Sequence, residues 1–394
     1  MTRTADVVVI GAGACGTSVA YHLAALGVGR VLVLERRHLA AGATGKSGAL
    51  VRMHYTNAAE TALAVESFKV FRDFAAIVGG DCGFEPVGFV QLVGPEHRDA
   101  LVRNVERQRG LGVKTEVVDG AALATLLPGC RVDDVGAAAW EPDSGFADPN
   151  ATAFAFAEAA RRLGATVETH CGVRRILTAG ERVTGVETTA GPVAAPVVVI
   201  APGAWAVPLL GPLGLDLPLT PFRIQVSVFR WPSGFTHRHP AVIDATHMAW
   251  FRPEGHAATL IGVELGVAHA DPDAYDEGVD EGYVDRCRQA LAARLPVFAD
   301  ATMRGGWAGM IMMSADGRPI IDRLAPFEGL YGMLGDSGTS FKTSPAIGRC
   351  LAEWIVHGEP RTADLSRFSA RRFAEARPWR DADGYGTERL TVSR

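Results

Sequence analysis

The 394-residue sequence has no apolar stretch approaching the ~20 residues that cross a bilayer as a helix, so no membrane insertion is expected. It has no block of like charge. With a net charge of −5 at pH 7 and no long basic run, a nucleic-acid partner is not expected. Cysteine is sparse: Cys15, Cys82, Cys130, Cys171, Cys287 and Cys350 are scattered without CxxC spacing. That pattern argues against a metal site and against a disulfide framework, and it fits small buried thiols in a reducing cytoplasm. No basic leader or cleavage site accompanies the apolar run at residues 7–10, which reads as a strand and not as a signal peptide. Internal repeats and low-complexity linkers are also missing.

What is present is an ordinary globular composition, 48% hydrophobic and 21% charged, in a chain too long for one typical core. Two lobes are expected. Residues 6–10 read as a strand buried on both faces, because their apolar residues run continuously. A glycine-rich turn and a helix follow to Gly27, then a second strand over 31–35, giving a βαβ unit. Ala64, Phe68, Phe71, Ala75 and Val78 recur at helical spacing behind Asn57, a candidate cap. Residues 88–93 and 113–118 read as strands outside the first sheet. Asp148-Pro149 reads as a helix start, with Phe156, Ala160 and Leu163 as its apolar stripe and Gly164 as its stop. Further strands are expected over 197–200, 223–229 and 330–334, and a helix over 345–355.

Gly11-Ala12-Gly13-Ala14-Cys15-Gly16 is a GxGxxG set between the first strand and its helix. Gly11 permits the tight turn, Gly13 lets the backbone approach a pyrophosphate, and Gly16 allows helix to pack on strand. The helix N-terminus, with Ala14 and Cys15 in its first turn, offers N–H groups to phosphates. Glu35 ends the second strand about 20 residues further on, where an acid accepts from ribose hydroxyls, with Arg36 beside it. Glu35 as a plain surface acid is the alternative reading. The fingerprint alone leaves FAD and NAD both open.

Beyond it, Ala43-Thr44-Gly45-Lys46-Ser47-Gly48-Ala49-Leu50-Val51-Arg52 resembles the D-amino-acid oxidase superfamily of flavoproteins. The nearer match is its sarcosine oxidase and dimethylglycine dehydrogenase branch. Similar segments follow in order: residues 143–149, Ala201-Pro202-Gly203-Ala204-Trp205, Pro221-Phe222-Arg223-Ile224-Gln225, residues 314–322, and Gly335-Asp336-Ser337-Gly338-Thr339-Ser340-Phe341-Lys342. The resemblance covers roughly residues 5–370. It implies an α/β chain, α+β overall: a Rossmann-like FAD-binding domain with an inserted antiparallel-sheet substrate domain. The FAD-binding parts are expected at 1–75, 143–210 and 305–365, the substrate-binding parts at 76–142 and 211–304, and a C-terminal tail at 366–394.

The resemblance also implies site residues. Thr44, Lys46, Ser47, Val173, Gly203, Trp205, Gly335, Ser337, Gly338, Thr339, Ser340 and Lys342 join the fingerprint, Glu35 and Arg36 around FAD. Arg52 and Lys342 match the basic pair that grips a substrate carboxylate, an arginine fork beside a lysine point charge. His54 and Tyr55 are candidates to line the pocket, and Trp250 to form its aromatic wall; a structural histidine and a core aromatic are the plain alternatives. Departures are informative. No cysteine lies near Gly309-Met310, where monomeric sarcosine oxidases link their flavin, so non-covalent FAD is expected. The strand at Leu260-Ile261-Gly262 lacks the lysine some oxidases use toward oxygen; Lys46 and Lys342 are the candidate substitutes, with a surface or phosphate contact the other reading for Lys46.

The expected activity is oxidation of a small amine bearing a carboxylate, an N-methyl, cyclic imino or α-amino acid. A hydride equivalent passes to flavin N5, the imine product is hydrolysed, and hydrogen peroxide forms if oxygen is the acceptor. Two other readings stay open: a dehydrogenase subunit passing electrons to a partner or quinone, and a non-redox or NAD-binding Rossmann protein. A partner subunit or homo-oligomer is compatible with the first.

Overall fold

The structure, a computed structural model, describes residues 3–385; the last nine positions of the expected tail lie outside it. A six-stranded sheet is built in the order Ile320–Arg323, Leu330–Leu334, Val197–Ile200, Val7–Ile10, Val31–Leu34, Thr166–Glu168. All neighbours pair parallel except the antiparallel edge strand Ile320–Arg323. Val7, Val8, Val9 and Ile10 are all buried because alternate residues enter different cores. Val7 and Val9 meet the helices Ala14–Ala25, Pro149–Arg162 and Ser344–His357. Val8 and Ile10 meet a four-stranded sheet that includes Val173–Ala179 and Arg182–Thr188. At roughly 25 cal/mol per Å² of apolar surface, this double coverage is the main stabilisation of the layer.

The expected helix starts are present. The Asn57 side chain accepts from Glu60 N at 2.9 Å, and Asp148 Oδ1 accepts from Asn150 N and Ala151 N. The predicted 64–78 helix is broken: Ala58–Arg72 ends where Asp73 leaves helical angles (φ −113°, ψ 32°), and a single turn, Phe74–Ile77, follows. Aspartate competes for nearby backbone groups and is a poor helix interior residue. Leu163, expected in an apolar stripe, sits at the helix C-terminus and is 50% exposed; Ala153 and Ala157 complete the buried stripe instead.

A nine-stranded sheet gathers strands from 89–141 and 219–314. The expected antiparallel sheet is in fact mixed, because Ala241–Asp244 runs parallel to Phe89–Val93. The two strands come from separate stretches of chain, so no hairpin constrains their direction. One face packs on the helix Glu281–Arg294 through Phe229, Phe251, Ile261 and Leu291. From its other side Ile243 and Trp250 reach the large cavity described next. No helix among the described residues is long and apolar enough to cross a membrane.

Candidate active site

Three cavities share walls and run as one trough between the two large sheets. The first, of about 1050 Å³, is lined by Glu35, Arg36, Val173 and Trp205. Gly11, Glu35 and Pro202 also line the second, of about 670 Å³, together with Gly13, Ala14, Cys15, Thr44, Gly203 and Gly335. Ala14, Cys15, Thr44 and Asp336 lead on to the third, of about 1000 Å³. That last cavity holds Lys46, Ser47, Arg52, Trp250, Gly338, Ser340 and Lys342.

The middle of the trough is shaped by glycines. Gly11 has φ +99°, and a Cβ there would overlap the carbonyl of Ala201. A Cβ on Gly13 would stand 2.9 Å from Thr44 Oγ1. Gly16 does not line the trough; its missing side chain lets the helix sit against the Gly11 carbonyl. The helix Ala14–Ala25 has no acid in its first turn, and at its Gly13 end Ala14 N donates to Thr44 Oγ1 at 3.1 Å, so a hydroxyl and not a carboxylate meets its positive pole at the cavity. Glu35 accepts from Ala12 N at 3.0 Å and from Arg37 N at 2.8 Å, which fixes its carboxylate at the junction of two cavities. Arg36 lies over the Trp205 ring at 4.9 Å and pairs with Asp273, which also accepts from Trp205 Nε1 at 2.8 Å.

The loop 335–342 closes the third cavity. The Ser337 and Thr339 side chains turn inward to brace it: Ser337 Oγ accepts from Ser314 N at 3.2 Å, and Thr339 Oγ1 donates to the Asp336 carbonyl at 3.0 Å. Ser340 Oγ is buried in the cavity wall and has no partner among the described residues. A buried hydroxyl left so costs free energy unless a ligand satisfies it. The glycine cradle, the helix N-terminus and this hydroxyl together fit an extended dinucleotide.

Arg52 and Lys342 meet at one place. The Arg52 guanidinium lies 4.7 Å from the Tyr55 ring centroid and Lys342 Nζ 5.3 Å from it. Burial lowers the pKa of Arg52. Lys342 Nζ donates to the Thr339 carbonyl at 2.9 Å, which also accepts from the Tyr55 hydroxyl at 2.9 Å. His54 and Tyr55 themselves are not in the cavity wall as expected. Both are core residues behind Arg52, at 0% and 1% exposure, and Tyr55 acts as a prop between the two cations. Trp250 does form a wall. Its indole fills the space left by Gly48 and Gly262, where any Cβ would collide with it.

Lys46 lines the cavity, but its ammonium is engaged by Glu277 at 2.9 Å and by Tyr275 Oη at 2.7 Å. Neither partner carries a motif that would single it out. Gln225 and Asp336 also line the cavity; both sit inside family-like segments, where no feature of the pattern marks them as site residues. Burial raises the Asp336 carboxyl to about 6. Of the described residues in the three cavity walls, Cys15 is the one cysteine and His170 the one histidine. No group of three or more His, Cys, Asp or Glu among the described residues could hold a metal ion.

Residues 6–354 match the DAO family model, FAD dependent oxidoreductase. Sarcosine oxidase subunit beta from Arthrobacter sp. is 28% identical over 94% of this chain and 91% of that protein. Human mitochondrial sarcosine dehydrogenase is also 28% identical, over 95% of this chain but only 42% of its own length. Among solved structures, L-proline dehydrogenase from P. horikoshii superposes with a TM-score of 0.88 and 25% identity, covering 95% of this chain and 99% of that one. Glycine oxidase from Geobacillus kaustophilus shares the fold at a TM-score of 0.81, with 24% identity and 94% and 99% coverage. The chain therefore belongs to the DAO family of FAD-dependent oxidoreductases, and its cofactor is FAD.

Proposed function

We propose that the protein oxidises a small amine bearing a carboxylate, an N-methyl, cyclic imino or α-amino acid, to an imine that water hydrolyses. The observation that carries this reading is the pair of buried cations, Arg52 and Lys342, propped on one tyrosine in an otherwise largely apolar cavity. A guanidinium fork and an adjacent ammonium match a planar carboxylate. Ile224, Val226, Ile243 and Val263 suit an aliphatic or small-ring body, with Trp250 as the aromatic side. An apolar wall disfavours a buried ammonium, so it selects the neutral amine without a dedicated base. FAD, when bound, supplies the two-electron acceptor. The names of the relatives support the substrate class: sarcosine and proline are both N-substituted α-amino acids.

In the same proposal the cofactor is held without a covalent bond, and the parts expected at 1–75, 143–210 and 305–365 form the discontinuous cofactor domain. A second reading, a dehydrogenase delivering electrons to a partner, is favoured by one observation: the Lys46 ammonium is already paired with Glu277.

The test is flavin bleaching without oxygen across a panel of amino and N-methyl amino acids, in wild type and Arg52→Met. Loss of a bidentate charged contact costs roughly 2–4 kcal/mol, so affinity for acid substrates should fall about 30- to 1000-fold while FAD content holds. Equal bleaching of the variant by acid substrates would sink the carboxylate role.

A further inference from the structure

The segment from Trp379 to Tyr385 threads back into the protein and ends against the support of Arg52. Trp379 N donates to Asp316 Oδ2 at 2.9 Å, and Asp381 pairs with the buried Arg318. Asp383 is held by Arg103 Nε at 2.8 Å and by Arg107. Asn104 Nδ2 then donates both to the Asp383 carbonyl and to the Tyr385 hydroxyl, each at 2.9 Å. Tyr385 is 7% exposed, and its hydroxyl lies 2.7 Å from His54 Nε2.

The Tyr385 oxygen accepts from Asn104 and lies within hydrogen-bond reach of His54 Nε2; the assignment that gives the Tyr385 proton a partner has it donated to Nε2, with the imidazole proton on Nδ1. Burial and the nearby Arg52 charge hold His54 neutral, with a pKa lowered to about 3. The His54 ring stacks on Tyr385 (5.9 Å between centroids) and packs against Phe89 (6.4 Å). The Arg52 guanidinium lies over that same Phe89 ring at 5.5 Å. Tyr385, His54, Phe89 and Arg52 therefore form one contiguous stack from the C-terminal segment to the cavity.

We propose that Tyr385 is a positioning residue for substrate binding: its hydrogen bond to His54 fixes the ring that, through Phe89, holds the Arg52 guanidinium in the orientation a carboxylate needs. The inference rests on the assignment of Arg52 to the substrate carboxylate. An arginine has a large rotamer entropy to lose, and a support that has already removed it leaves more of the contact energy for binding.

The experiment is a titration of the FAD-loaded enzyme with isovalerate, with isovaleramide as the uncharged control, followed by the flavin spectrum. It compares wild type, Arg52→Met, Tyr385→Phe, His54→Leu and the Tyr385→Phe/His54→Leu pair. Tyr385→Phe removes one oxygen and should weaken isovalerate about 3- to 10-fold, leaving isovaleramide and FAD content unchanged. His54→Leu should do the same, and the double variant should be no weaker than the worse single one, because both act through one contact. Unchanged isovalerate affinity in Tyr385→Phe, or additive losses in the double variant, overturns the positioning role. Equal losses for isovalerate and isovaleramide also overturn it, since they mark a merely structural effect. If wild type shows no binding, or Arg52→Met binds isovalerate normally, the carboxylate assignment itself fails, and that outcome is distinct from the others.

Discussion

Asp336 brings a carboxyl group into the wall shared by two cavities of the trough, facing Cys15 on one side and Lys342 on the other. Burial raises its pKa from 3.8 to about 6, so the folded protein binds this proton more tightly than the unfolded chain does. The group's contribution to stability is therefore complete below pH ~4 and is lost as pH rises through about 6, a change of roughly 3 kcal/mol. Asp336→Asn cannot ionise, so the apoprotein variant should melt several degrees above wild type at pH 7.5 and converge with it near pH 4. Parallel melting curves across that range would show that Asp336 ionises without penalty. Asp336 is visible in the sequence as part of its loop, yet burial, the source of its unusual proton affinity, comes only with the fold, which places it in two cavity walls beside Cys15, far away in the chain. Arg52 and Lys342 were legible because a motif carried each of them. Tyr55 was legible only as a neighbour; its role as a prop between the two cations required the fold.

The glycine turn was the most legible element, because each glycine answers a local demand. Gly11 needs a positive φ and clearance from Ala201, and Gly16 needs contact with Gly11. Strands buried on both faces were equally plain, since a short unbroken apolar run bounded by turn residues suits a strand covered on both sides. The four-stranded sheet was missed. Its strands Val173–Ala179 and Arg182–Thr188 expose several charged and polar residues, so their pattern reads as surface. The break at Asp73 was hidden under a periodicity that continues through it. A consequence of the turn's geometry is that Gly11→Ala should purify nearly colourless. Wild type, precipitated in acid, should release its yellow colour to the supernatant, as expected of a cofactor without a covalent bond. Colour retained in the wild-type pellet would refute that bond assignment; full FAD content in Gly11→Ala would refute the steric argument.

At the scale of the whole molecule, a loop of the large sheet is tied across the trough to side chains far away in the sequence. Asp273 engages Arg36 and Trp205, while Glu277 and Tyr275 engage Lys46. No single-sequence pattern reports such pairs, and they bear on the electron acceptor. Oxygen takes its first electron as an anion, and a fixed cation nearby stabilises the charge that develops. Lys46 lies in the cavity wall, but its ammonium is neutralised by a carboxylate at 2.9 Å, so its field in the cavity is weak. Reoxidation of the dithionite-reduced enzyme by oxygen, followed by stopped flow, should therefore draw little on Lys46 and be slow in wild type unless the Lys342 ammonium in the same wall supplies the charge. It should change less than about 2-fold in Lys46→Met. Glu277→Gln frees the ammonium and should speed reoxidation several-fold, an increase that Lys46→Met in the same chain abolishes. A large loss in Lys46→Met alone would mean that the paired lysine already serves oxygen. If oxygen reacts negligibly while a quinone or artificial dye turns over rapidly, the electrons leave through a partner and the enzyme works as a dehydrogenase.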